Sequence, residues 1–128
     1  MAEREERMAY GLGALLAGAA VAHFVHPQFF DGIVPESLPG SARMWTYLSG
    51  AVEGGTAALV LNPSTRRQGG WLAAALFVAV FPANIKDAID SADKSTAEQV
   101  GRYLRLPLQI PLVLWGLRVA GVRRAARG

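Results

Sequence analysis

The sequence predicts an all-α protein, a four-helix transmembrane bundle with both termini cytoplasmic. Hydrophobic residues make up 52% of the 128-residue chain and charged residues only 18%, an apolar balance for a chain that has room for one domain, residues 1–128. The apolar residues gather into four stretches close to the roughly 20 residues that a bilayer-crossing helix needs. Between the stretches stand prolines, asparagines and polar runs that stop helices.

Taken in order, residues 8–26 hold no Lys, Arg, Asp or Glu, and His26-Pro27 closes them. The leader MAEREER carries three glutamates against two arginines, unlike the basic start of a secretory signal, so this stretch reads as a retained helix. Residues 44–61 hold Glu53 as their one ionisable acid or base and end at Asn62-Pro63. The third helix is expected over residues 70–89, with Lys86 and Asp87 near its end. The polar run DSADKSTAEQ separates it from the fourth, expected over residues 103–122, where Arg105 and Arg118 sit near the ends and can snorkel to headgroups.

Charge supplies the orientation. Four spans put both termini on one side, and that side collects Arg4, Arg7, Arg66, Arg67, Arg123, Arg124 and Arg127, against Arg43, Lys94 and Arg102 on the other. The positive-inside rule then makes the termini cytoplasmic in a multi-pass protein of the cell membrane, inner or plasma. The net charge of +3 and the basic tail RVAGVRRAARG fit anionic lipid headgroups, and no nucleic-acid partner is expected. The chain has no cysteine, which excludes disulfides, thiolate metal sites and cysteine nucleophiles within it.

This topology gathers the polar residues at one depth. His23 and His26 end the first helix three residues apart. Glu53 lies about 14 Å into the second helix at 1.5 Å per residue, on a stripe with Thr46, Ser49, Gly50 and Ala57. The third helix adds Asn84 and Asp87 after Pro82, which leaves the Val78 carbonyl without its usual donor; the fourth adds Arg102, Arg105 and Gln109. A lone charge in hydrocarbon costs roughly 2.5 to 3.5 kcal/mol on insertion scales, so Glu53 calls for partners, with His23 and Arg105 first and Asn84 and Gln109 next. His26, Glu53 and His23 also have the ligand types of a zinc or iron site, although a histidine before proline at a helix end is commonly interfacial. Gly50-x-x-x-Gly54 reads as close helix packing. The loop PQFFDGIVPESLPG, with Phe29, Phe30, Pro35 and Pro39, is too apolar to be solvated and is expected to fold back as a lid, to lie in the interface or to dock a partner.

The ordered motifs HFVHPQFFDGIVPESLPG, YLSGAVEGG, NPSTRR, VFPANIKDAI and RLPLQIPLVLWGL resemble the DoxX-like family of small four-helix membrane proteins over nearly the whole chain. The resemblance implies a four-helix transmembrane fold and a link to redox membranes, since relatives include a subunit of a thiosulfate:quinone oxidoreductase and members partnered with superoxide dismutase and a sulfurtransferase. More distant relatives are assembly chaperones, so the resemblance implies no single activity. It places His23, Pro27, Phe30, Pro35, Pro39, Tyr47, Ser49, Gly50, Glu53, Pro82, Asn84, Arg105, Pro107 and Gln109 at recurring motif positions without a catalytic assignment. Two expectations follow. The chain is a redox-associated accessory subunit whose outward-facing polar pocket takes a quinone or another small molecule, or it is a non-catalytic scaffold or assembly subunit of a membrane complex in which the polar cluster only fixes helix register.

Overall fold

A computed structural model describes residues 2–121, so the expectations that rest on Arg123, Arg124 and Arg127 lie outside the described residues. The chain is an all-α bundle of four main helices, α1 (Ala2–Val25), α3 (Ala42–Leu61), α4 (Arg66–Ile89) and α5 (Thr96–Val119). One turn of helix, α2 (Gln28–Asp31), follows α1, and a 3₁₀ turn at Asp90–Asp93 follows α4. Successive long helices run antiparallel: α1 packs chiefly on α3 and α4 on α5, and the two pairs join through α3 and α4. Both ends of the described chain therefore lie at the same end of the bundle.

Local chemistry sets the boundaries. Pro27 biases His26 away from the helical region and α1 stops at Val25. The Ser41 hydroxyl accepts from the Met44 amide at 3.1 Å and opens α3. Pro63 ends α3 in the same way, and the Arg66 guanidinium then reaches back to cap it, donating from Nε to Val60 O at 2.9 Å. Two starts differ from the expected ones because hydropathy hides them. α4 begins at Arg66 rather than 70, and α5 at Thr96 rather than 103, where Ser95 accepts from the Glu98 amide at 3.2 Å. The pattern Ser-x-x-Glu at 95–98 signals this start in the sequence itself. At the front of α1 the charged leader is likewise helical from Ala2 onward, not from 8.

Four spans were expected; among the described residues two stretches, Glu3–Val25 and Arg66–Asp93, are long and apolar enough to cross a membrane. α3 dilutes its apolar residues with glycine, threonine, serine and Glu53, and α5 with Pro107, Pro111, Arg102, Arg105 and Gln109.

The core occupies the half of the bundle nearer the termini, where Leu12, Leu16, Val60, Phe77 and Val119 pack with alanines. Seven of the twelve buried hydrophobic residues are alanine, so the helices meet at short range. The tightest crossing joins α4 and α5: a Cβ on Gly116 would lie 2.8 Å from the Ala74 amide nitrogen, and one on Gly70 would lie 2.8 Å from Gly116 O. Gly50 does the same for α1 and α3, where a Cβ would meet His23 Cβ at 2.8 Å. Gly116→Ala should therefore destabilise the bundle by about 1 to 3 kcal/mol, the usual range for overpacking against an unyielding neighbour. Gly55→Ala, at a helical site with open space around it, should be neutral or stabilising by up to about 1 kcal/mol. Thermal unfolding of the two variants in one detergent checks the contrast.

Candidate functional site

In the half of the bundle away from the termini the helices enclose a cavity of about 570 Å³, within the size range of small-molecule sites. Its walls are mostly apolar. α1 gives Leu15, Leu16 and Ala19; α4 gives Phe77, Val80 and Pro82; α5 gives Leu108 and Leu112. The segment after α2 closes the top with Ile33, Val34, Pro35 and Leu38, and Trp45 stands beside it. Seven of the polar residues singled out from the sequence line this space: His23, Thr46, Ser49, Glu53, Asn84, Arg105 and Gln109.

Their hydrogen bonding is uneven. The His23 ring is buried, and its Nδ1 lies 2.7 Å from Ala19 O. A carbonyl oxygen only accepts, so Nδ1 carries a proton and donates it to Ala19. The same Nδ1 is 3.2 Å from Glu53 Oε2, yet that oxygen receives no hydrogen bond, because the ring N–H points at the carbonyl. Asn84 is only 5% exposed, and its Nδ2 also has no partner. Gln109 was expected to help Glu53; instead its Nε2 donates to Phe77 O at 2.7 Å, tying α5 to α4 one residue before Val78. Arg105 lines the cavity but forms no ion pair with Glu53 among the described residues. Two buried polar atoms, one on α3 and one on α4, are thus left without a hydrogen bond among the described residues, on side chains that line a largely apolar space. Such atoms are uncommon in folded chains, since an unmet buried donor or acceptor costs about 1 to 3 kcal/mol.

Two expected members lie elsewhere. His26 has left the helix and is exposed in the turn before Pro27, so it does not join His23 and Glu53. No group of three His, Asp or Glu among the described residues is arranged to hold a metal ion. Asp87 does not line the cavity, and Arg102 donates to its Oδ2 at 3.0 Å; the early start of α5 brings Arg102 alongside it.

The segment over the cavity is clamped in three places. Phe30 stacks on the His23 ring with centroids 3.6 Å apart. Asp31 accepts from Arg43 Nε at 3.0 Å and from the Thr46 hydroxyl at 2.7 Å. Trp45 Nε1 donates to Pro39 O at 2.6 Å, while Gly40, at φ 83°, makes the turn into α3. Phe29 is largely exposed and neither it nor Pro39 walls the cavity. Asp31 was not singled out from the sequence. Its signal is there: an aspartate flanked by Phe29, Phe30, Ile33 and Val34, followed by an arginine and a threonine three residues apart at the next helix start.

Residues 12–120 match a family model described as a domain of unknown function, DUF8561. The chain belongs to the DUF8561 family. No curated protein and no solved structure matches it. The span shared with other DUF8561 domains includes every residue of the cavity wall and of the clamp.

The Arg43 guanidinium and then the Thr46 hydroxyl hold the Asp31 carboxyl below the usual carboxylate range. A depressed folded value means that the clamp's contribution is complete above the ordinary aspartate value of about 3.9 and is lost as pH falls through the lower folded value. Trp45 fluorescence should report lid release in acid below that point, and Asp31→Asn should show the released signal already at neutral pH.

Proposed function

We propose that this DUF8561 protein is a multi-pass protein of the cell membrane, with both termini cytoplasmic, that binds a small molecule with an apolar body and a hydrogen-bonding head in the lidded cavity. The observation that carries the binding role is a cavity of about 570 Å³ lined by Glu53 and Asn84, each of which keeps a buried polar atom, Oε2 and Nδ2, without a hydrogen bond among the described residues. The Asn84 amide suits a carbonyl acceptor, and the Glu53 oxygen suits a hydroxyl donor. A quinone headgroup, which presents carbonyls when oxidised and hydroxyls when reduced, has this chemistry, and the His23 ring lines the same cavity beside Glu53. The resemblance to the DoxX-like family supports a redox-associated accessory role on the same reading, alongside protein partners in a membrane complex.

The membrane location is supported by how the apolar residues are distributed. Among the described residues twenty-two large hydrophobic side chains are exposed, while five hydrophobic residues larger than alanine are buried. This distribution fits helices that associate in lipid through small residues and leave the large ones outside.

Extraction of the full chain in mild detergent, with mass spectrometry of its bound lipids and quinones, tests the proposal. A stoichiometric quinone or similar amphiphile is the expected result. Asn84→Leu and Glu53→Gln should each weaken its binding by about fivefold to tenfold, the worth of one buried hydrogen bond. A protein that carries no such molecule, takes up none of the added quinone and responds to neither substitution would overturn it.

A further inference from the structure

A second recess lies between α1 and α5 at the opposite end of the bundle, next to the termini. It has a volume of about 700 Å³, and three guanidiniums border it, those of Arg4, Arg7 and Arg118. Arg4 and Arg7 are three residues apart on α1 and leave from one face, while Arg118 comes from the last turn of α5. Neither Arg4 nor Arg118 forms an ion pair among the described residues, and Arg7 meets Glu3 only at 3.9 Å with side chains 81% and 89% exposed. An exposed pair of that kind is worth little, so all three arginines can turn to an anion.

The wall beneath them is apolar and firmly held. The Trp115 indole donates to Met8 O at 2.8 Å and lies over Gly11, where a Cβ would come within 2.9 Å of the ring. Pro111 and Leu114 continue this wall along α5 toward the middle of the bundle, and Leu114 is 54% exposed.

We propose that this recess binds an anionic phospholipid, with the three arginines holding the phosphate and the wall of Trp115, Pro111 and Leu114 taking the first part of an acyl chain. Guanidinium forks match phosphate oxygens in pairs. A basic pocket between helices at the cytoplasmic end is also where anionic headgroups are recognised. A free phosphate compound would use the arginines and leave the apolar wall bare. The inference rests on the membrane reading of the bundle and is independent of what fills the lidded cavity.

The test uses the full chain in nanodiscs of equimolar phosphatidylcholine and phosphatidylglycerol, ejected into native mass spectrometry. Phosphatidylglycerol should be retained several-fold over phosphatidylcholine. Arg4→Gln with Arg118→Gln should bring that preference close to even, whereas Arg4→Lys with Arg118→Lys should keep most of it and so shows that a loss is not misfolding. Equal retention of the two lipids, or a preference that survives the glutamine variant, overturns the site. Displacement of the lipid by inorganic phosphate alone overturns the lipid assignment in favour of a free anion. A chain that stays in the aqueous fraction without detergent or lipid overturns the membrane reading and this site with it.

Discussion

The close approach of α4 and α5 at Gly70, Ala74, Gly116 and Ala120 is the constraint on which the rest of the bundle depends. A side chain at either glycine would collide with the backbone of the opposite helix, so this crossing exists only while both positions stay bare. Gly69 sets α4 equally close to the end of α3, where a Cβ would lie 2.8 Å from the carbonyl carbon of Leu59. With the terminal half drawn together through glycine and alanine, the far half is walled by larger residues on helices that contain Pro82, Pro107 and Pro111. The cavity lies in that half, and the apolar core in the other.

This division also accounts for the unequal treatment of polar groups. Near the termini, polar atoms that enter the bundle find partners at once: Thr56 donates to Val52 O at 2.7 Å, Thr65 to Leu59 O at 2.8 Å and Trp115 to Met8 O. Around the cavity, polar groups on α3 and α4 are left unmatched. Gln109 is long enough to cross to Phe77 O, but Asn84 is one methylene shorter and its amide stays unmatched. Glu53 approaches His23 closely and still goes without a hydrogen bond, because the nearer claim of Ala19 O fixes the ring proton. The lid is treated oppositely. The Asp31 carboxylate is satisfied by two donors from α3, which makes the cover of the cavity more firmly tied than the groups inside it.

The amino-acid sequence by itself determined the four helices and the half of the bundle where polar residues collect. Apolar runs broken at His26-Pro27 and Asn62-Pro63 mark helix ends through local sterics, and the spacing of Glu53, Asn84 and Gln109 along their helices places them at similar depth. Even the early start of α5 at Thr96 is written locally, in Ser95 and Glu98. Tertiary structure alone decided which polar groups share a space. One turn of backbone after Val25 sends His26 outward, Arg102 pairs with Asp87, which does not line the cavity, and Asp31, twelve residues from Arg43 and fifteen from Thr46, becomes the clamp of the lid. The physical reason is range. Helix ends and faces follow from neighbours within a turn, whereas partnership and open volume depend on distances between helices, which the bare glycines and the proline-bearing segments set from far along the chain.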